Sequence, residues 1–123
     1  MRQILVVDDS PLIREVARLG LEGGAGWSVR SAGSGTEALQ RAQEDAPEAI
    51  LLDVVMPDMD GPATLRQLRE RPATSQIPVI FVTARDGADR ERLERLDVAG
   101  VITKPFEMQE LAGQVADILG WER

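Results

Sequence analysis

Short apolar runs alternate with segments of helical periodicity along the whole chain. Four of the runs are almost continuously apolar, as is typical of strands buried on both faces, and they cover residues 4–7, 49–52, 78–82 and 100–103. A fifth run, residues 27–32, is less apolar, so we expect it at an edge of the sheet. Five strand and helix units in series predict an α/β fold, with one parallel sheet and helices on both of its faces.

Cap and breaker residues mark the predicted ends of the first two helices. Ser10 followed by Pro11 predicts an N-cap with proline in the first helical position. Ser34 with Glu37 predicts a capping box for the second helix. We expect the glycine-rich residues 22–26 to break the first helix.

The later helices differ in how strongly the sequence anchors them. The third should end near residues 71–72, where a proline disfavours further helix. Residues 86–97 are almost wholly charged, so we expect a loosely docked helix held by Leu93 and Leu96. The last helix has a longer apolar stripe, formed by Met108, Leu111, Ala112, Val115 and Leu119.

Composition limits the possible functions of the chain. Its 123 residues, 43% of them hydrophobic, suit one domain over residues 1–123. It contains no apolar stretch of the length of a membrane span and no secretory signal, so we expect a soluble, cytoplasmic protein. The net charge of -7 argues against direct nucleic-acid binding. Since the chain has no cysteine or histidine, disulfides, thiol nucleophiles and nearly all zinc sites are excluded.

Polar side chains follow four of the predicted strands, at the point where each apolar run stops. They are Asp8 and Asp9, Asp53, Thr83 and Lys104, the last being the only lysine among 14 basic residues. Because the carboxyl ends of parallel strands meet at one edge of a sheet, this edge is expected to bind a ligand.

The three aspartates together predict a site for a hard divalent cation such as Mg²⁺. Adjacent Asp8 and Asp9 should point in different directions, and Asp53 comes close to both if its strand neighbours the first. Like charges this close repel by about 1 kcal/mol per pair even in water, and a cation removes that cost. Asp53 is then the best candidate for a nucleophile that attacks phosphorus.

Each of these residues also has an ordinary structural interpretation. Asp8 and Asp9 on their own could cap a helix in a solvated turn. Thr83 could reflect strand propensity alone, and Lys104 could be a surface lysine. Gly61 is interpreted as ending the acidic turn before it in a conformation that needs positive φ.

Four motifs, in their order and spacing, resemble the receiver domain of two-component response regulators. They are Val6-Val7-Asp8-Asp9-Ser10, then Leu52-Asp53-Val54-Val55-Met56-Pro57 with Asp60-Gly61, then Val82-Thr83-Ala84, then Thr103-Lys104-Pro105-Phe106. The resemblance covers essentially the whole chain. It implies a flavodoxin-like, three-layer α/β/α fold with strand order 2-1-3-4-5.

The resemblance also implies a role for each site residue. Asp53 would be the phospho-acceptor, with Asp9 and Asp53 binding Mg²⁺ directly, Asp8 acting mainly through a water, and the carbonyl of Val55 as a further ligand. Thr83 would be the switch hydroxyl. Lys104 would pair with the phosphoryl group, and the Lys104-Pro105 peptide is expected to be cis.

The chain departs from the family pattern at one position that matters for signalling. Three residues before the lysine the family often has an aromatic residue that moves on activation, whereas this chain has Val101 and no tyrosine. Phosphorylation should be unaffected. The coupling from Thr83 to the face formed by the fourth helix, fifth strand and fifth helix is what this substitution puts in doubt. Val55 and Arg85 stand at positions that tune dephosphorylation in the family.

The implied phosphoryl donor is a sensor histidine kinase or a phosphotransfer protein, docking near the first helix, where Leu12 or Ile13 would be an exposed anchor. The downstream partner is an unknown protein that would contact the fourth helix, although that helix can also be read as a solvated surface. We expect a monomer or a weak, phosphorylation-dependent homodimer.

The chain could be a complete single-domain regulator similar to chemotaxis regulators, or a receiver cut from a longer protein. Of these two possibilities, we expect the complete regulator.

Two other functions compete with this binding switch. A magnesium-dependent phosphohydrolase would usually carry a second carboxylate two residues after its nucleophile, where this chain has Val55, so we expect no enzyme. A scaffold that signals without phosphate is disfavoured because all five site residues are kept, but the absence of the aromatic residue at Val101 leaves this alternative open.

Overall fold

Parallel strands and helices alternate through residues 2–84 and 90–122, the part of the chain that the computed structural model describes. The strands are β1 (Gln3–Val7), β2 (Ser28–Ala32), β3 (Ala49–Asp53), β4 (Val79–Ala84) and β5 (Gly100–Lys104). The helices are α1 (Pro11–Ala25), α2 (Gly35–Glu44), α3 (Gly61–Glu70), α4 (Arg90–Glu94) and α5 (Met108–Leu119). The sheet order β2-β1-β3-β4-β5, with every pair parallel, confirms the predicted flavodoxin-like α/β fold and its strand order.

Alternate residues of the strands supply two apolar cores, one on each face of the sheet. On β1, Leu5 and Val7 pack in the core covered by α2 and α3, whereas Ile4 and Val6 pack in the core covered by α1 and α5. The edge strand β2 is only partly buried, as its mixed sequence predicts. None of the helices in the described ranges combines the length and the apolar character needed to cross a lipid bilayer.

The two predicted helix caps are confirmed. The Ser10 hydroxyl accepts a hydrogen bond from the backbone N–H of Ile13 at 3.3 Å. The Ser34 hydroxyl accepts from the N–H of Glu37 at 3.1 Å. The Glu37 carboxylate accepts at 2.7 Å from the N–H of Gly33, the residue before the N-cap, rather than from the N–H of Ser34 as in the predicted capping box. These bonds satisfy amide groups that have no partner within the helix.

The first helix ends within residues 22–26, as predicted. Helix α1 continues through Gly23 and Gly24 to Ala25, and Gly26 adopts φ 71 as its left-handed C-cap. Gly24 lies where α1 packs against α5, since a Cβ at this position would lie 3.1 Å from the Cβ of Ala112.

The prediction of Leu96 as an anchor of the fourth helix was wrong. Helix α4 ends at Glu94, so Leu96 lies in the following turn with 39% of its surface exposed, and Leu93 alone is buried, at 2%. Residues 86–89 of the predicted helix, like Arg85, lie outside the described residues. In the last helix Leu111, Ala112 and Val115 are buried as predicted, whereas Met108 is 40% exposed.

Candidate functional site

Strand register brings the predicted site residues to one edge of the sheet. Val7 pairs with Leu52, so that Asp8 emerges beside Asp53. Asp53 pairs with Val82, the residue before Thr83, and Ala84 pairs with Lys104. The carboxyl ends of β1, β3, β4 and β5 therefore carry all the side chains that the sequence singled out.

The three carboxylates form a compact acidic cluster. Asp8 is 2% exposed and Asp53 is 5% exposed, whereas Asp9 faces solvent, which confirms that the two adjacent aspartates diverge. Each of the three contributes one oxygen, and these oxygens all lie within 4.8 Å of one another. Hard oxygen ligands at this spacing, with one side open to water, fit a divalent cation such as Mg²⁺.

The Lys104 ammonium connects two of the carboxylates. Its Nζ lies 2.9 Å from Oδ2 of Asp8 and donates a hydrogen bond of 3.1 Å to Oδ1 of Asp53. The peptide between Lys104 and Pro105 is cis, as the resemblance implies. Because one ammonium faces three carboxylates, the cluster keeps a net negative charge and can accept a further cation.

The pKa values of Asp53 and Lys104 reflect this crowding. Burial raises the pKa of Asp53 above its ordinary value, and the charge of Asp8 raises it further, while Lys104 opposes the shift without cancelling it. Burial by itself lowers the pKa of Lys104, but its hydrogen bond to Asp8 and the charge of Asp53 outweigh burial and raise this pKa overall.

Two hydrogen bonds hold Asp8 in place, and the sequence predicted neither of them. The N–H of Ser10 donates to Oδ1 of Asp8 at 2.9 Å. The guanidinium of Arg14 donates from Nη1 to the backbone carbonyl of Asp8 at 2.7 Å. The contact of Arg14 with Asp8 could have been suspected from the sequence only because this arginine lies in the first turns of the helix that follows the acidic pair. An arginine on a helix is ordinarily a surface residue, so its position alone does not predict such a contact.

Thr83 and Val55 lie at the site without joining the ion-pair cluster. Thr83 is half-buried, and no hydrogen bond among the described residues connects it to Asp53 or Lys104. The side chain of Val55 is 77% exposed. Thr83 lies near the carboxyl end of β4 and Val55 lies two residues after the end of β3, so both belong to the edge of the sheet that carries the cluster.

The interpretation of Gly61 was wrong. The positive φ of this turn belongs to Asp58, at φ 70, and Gly61 is instead the first residue of α3. A Cβ at position 61 would lie 2.6 Å from the backbone oxygen of Asp53 and 2.9 Å from Cα of Val54. Glycine is needed here because the backbone of α3 closely approaches that of the candidate acceptor.

Comparison with known sequences identifies the family. The sequence pattern of the response regulator receiver domain matches residues 4–116. This chain belongs to that family. The response regulator MprA of Mycobacterium leprae is 39% identical over 119 residues, a match that covers 95% of this chain and 50% of MprA. The chain thus spans about half the length of the curated relatives it matches.

Solved receiver domains share the fold of this receiver domain. The chemotaxis protein CheY4 of Vibrio cholerae matches with a TM-score of 0.86 at 28% identity, over 96% of this chain and 98% of CheY4. The signal receiver domain of a signal transduction histidine kinase from Syntrophus aciditrophicus matches with a TM-score of 0.83 at 35% identity, over 98% of this chain and 91% of that chain. Five-stranded sheets of this order therefore recur in receivers of different sequence.

The structure also places two positions that the sequence singled out, Val101 and the pair Leu12 and Ile13. Val101, at the position of the family's aromatic residue, is 5% exposed and packs in the core that contains Phe81 and Leu93. Leu12, near the start of α1, is 71% exposed, whereas Ile13 is partly buried. Of the two candidate anchors, Leu12 is therefore the one that projects into solvent.

Proposed function

We propose that this receiver domain is a phosphorylation-controlled switch of two-component signalling, with Asp53 as the phospho-acceptor. Mg²⁺ would be held by Asp8, Asp9 and Asp53 together with the backbone carbonyl of Val55. The observation that carries the proposal is the position of Lys104, whose ammonium contacts both Asp8 and Asp53 within the acidic cluster.

In the proposed phosphoryl transfer, each step uses a residue of this chain. A carboxylate oxygen of Asp53 attacks phosphorus, an acyl phosphate forms, and the bond to the donor breaks with its electron pair leaving on the donor. Lys104 would remain beside the transferred group and neutralise its oxygens, and the Thr83 hydroxyl would turn to donate to one of them. Bound Mg²⁺ would supply additional positive charge to the phosphoryl oxygens.

The product remains attached to the protein, so we propose a binding switch rather than a hydrolase. A hydrolase with an aspartyl nucleophile would need an acid/base group beside it, and the residue two positions after Asp53 is the apolar, exposed Val55. The proposed donor is a histidine kinase or phosphotransfer protein that docks on α1, with Leu12 as an apolar anchor. The downstream partner would be a protein that contacts α4, β5 and α5.

Incubation with Mg²⁺ and a small acyl-phosphate donor tests the proposal. Intact mass should increase by one phosphoryl group in the wild type and in Asp117→Asn, a control on the exposed side of α5. Asp53→Asn should show no increase, and chelation of Mg²⁺ should abolish the reaction of the wild type. Modification that persists in Asp53→Asn would refute Asp53 as the acceptor.

A further inference from the structure

Arg14 contacts the backbone between the two adjacent aspartates of the acidic cluster. Its Nη1 donates a 2.7 Å hydrogen bond to the carbonyl oxygen of Asp8. That carbonyl belongs to the peptide unit that joins Asp8 to Asp9, and a peptide unit is planar and rotates as one body. A bond to its oxygen therefore restrains the directions in which both side chains leave the backbone.

Other hydrogen bonds fix the neighbours of this peptide unit. The N–H of Asp8 donates to the carbonyl of Ala32 on β2 at 3.1 Å, and Oδ1 of Asp8 accepts from the N–H of Ser10. These bonds hold the backbone before Asp8 and the side chain of Asp8 itself. Arg14 holds the peptide unit between Asp8 and Asp9, and Asp9 is the most exposed member of the cluster.

The guanidinium of Arg14 lies in a slot beside the loop between β2 and α2. A Cβ at position 33 would lie 3.0 Å from Nη1 of Arg14, so glycine leaves the room that the guanidinium occupies. The N–H of Gly33 donates to Oε1 of Glu37, and this hydrogen bond is the main cause that lowers the pKa of the Glu37 carboxyl. Arg41 lowers this pKa further, and the charge of Arg14 makes a smaller contribution in the same direction. The slot therefore supplies both space and a compensating negative charge.

We infer that Arg14 is a positioning residue, which aims Asp8 and Asp9 at a common cation by holding the peptide unit between them. The inference rests on the proposed Mg²⁺ site and adds a residue that does not itself touch the metal. Groups that orient metal ligands in this way typically change metal affinity about 10-fold to 100-fold when they are removed.

The direction in which Mg²⁺ affinity changes when Arg14 is substituted distinguishes a positioning role from a purely electrostatic one. A positive charge near a cation site repels the cation, so loss of the charge alone would tighten Mg²⁺ binding. Loss of the positioning hydrogen bond would weaken it. Arg14→Met keeps much of the apolar stem of Arg14 but removes both charge and donors, and the two roles therefore predict opposite changes.

Titration calorimetry with Mg²⁺ on the full chain tests the inference. We expect Arg14→Met to weaken binding about 10-fold. Arg14→Lys, which keeps one donor, should recover part of the loss. Gly33→Ala should also weaken binding, because its methyl group displaces the guanidinium without changing Arg14. The control Arg18→Met removes a charge from the same helix, where Arg18 pairs with Glu15 and Glu22, and should not weaken binding.

Two measurements keep the result interpretable. Thermal unfolding in a chelator should show that Arg14→Met and Gly33→Ala remain folded, and amide chemical shifts should change at residues 8–10. Unchanged or tighter Mg²⁺ binding in both variants would overturn the positioning role and leave the proposed function intact. Failure of the wild type to bind Mg²⁺ would overturn the proposed function and this inference together.

Discussion

Asp53 carries its charge in surroundings that disfavour it. The side chain is 5% exposed, and burial together with the charge of Asp8 raises its pKa despite the contact with Lys104. In the absence of a divalent cation, the ionised carboxylate therefore reduces the stability of the fold. The crowding around Asp53 thus lowers the free energy of unfolding of the metal-free protein.

Asp53→Asn is expected to stabilise the metal-free protein at neutral pH by about 1 kcal/mol, because it removes one like charge from the cluster. The folded pKa of Asp53 is raised above 3.8, so wild-type stability falls relative to the variant as pH rises through that folded pKa. The difference should disappear below about pH 4, where the wild-type carboxyl is protonated. Urea unfolding of the wild type and Asp53→Asn, in a chelator and at a series of pH values, measures this difference in the free energy of unfolding.

The exposed substitution Asp117→Asn provides the control, since it removes a carboxylate outside the cluster. This account of Asp53 would be contradicted if Asp53→Asn raised the free energy of unfolding equally at acidic and neutral pH. It would also be contradicted if Asp117→Asn raised the free energy of unfolding by the same amount.

At the scale of elements, the start of α3 lies against the end of β3. Gly61 allows this approach, since any Cβ there would overlap the backbone of Asp53 and Val54. Backbone atoms cannot move aside as a flexible side chain can, so the two elements would have to separate. The position of the candidate acceptor thus depends on a glycine eight residues after it.

Gly61→Ala is expected to lower the free energy of unfolding by about 1 to 3 kcal/mol through overpacking. It should also weaken Mg²⁺ binding, because the clash falls on the backbone of Asp53. Chemical denaturation and calorimetry measure the two effects.

Gly23→Ala is the matched control, since Gly23 lies inside α1 with no atom near its missing Cβ. It should stabilise the protein by about 0.5 to 1 kcal/mol through helix propensity alone. If Gly61→Ala behaved like Gly23→Ala, the close approach of α3 to β3 would not constrain the site.

At the scale of the whole molecule, an aromatic cluster lies at the opposite edge of the sheet from the acidic site. The rings of Trp27 and Trp121 meet edge to face with centroids 5.4 Å apart, and the guanidinium of Arg2 lies 4.1 Å from the Trp121 ring. Arg2 precedes β1 and also pairs with Glu48, just before β3. The cluster therefore connects the segment after α5 to the amino ends of the central strands.

Trp121→Ala is expected to destabilise the protein by about 2 kcal/mol, since it removes the aromatic pair, the cation–π contact and a half-buried ring. Mg²⁺ affinity and phosphorylation of Asp53 should remain unchanged, because the sheet separates the two edges. Thermal unfolding and calorimetry on the same variant test both parts. A loss of Mg²⁺ binding at a temperature where the variant is folded would show that the two edges are coupled.

Local patterns made much of the fold predictable. Buried strands appear as apolar runs, and Ser10 and Ser34 act on amides only three residues away, so neither needs distant contacts to be recognised. The candidate site was predictable for a related reason. Asp53 and Lys104 each follow an apolar run, and parallel pairing brings such positions to one edge.

Contacts between distant segments decided features that no local pattern predicts. Gly24 remains helical where α1 packs along α5, although glycine by itself disfavours helix. Leu96 is exposed because α4 ends before it, which its hydrophobicity could not show.

The type and order of the elements and the chemistry at the strand ends can be read from local patterns, because apolar periodicity and capping are local properties. Three contacts arise only in the folded chain: Lys104 bridges Asp8 and Asp53, the backbone of Asp53 requires glycine at position 61, and Arg14 holds the peptide between the aspartates. These contacts depend on the angles and distances at which separate segments pack, to within a fraction of an ångström. Such distances arise from the packing of the whole core rather than from any short stretch of residues.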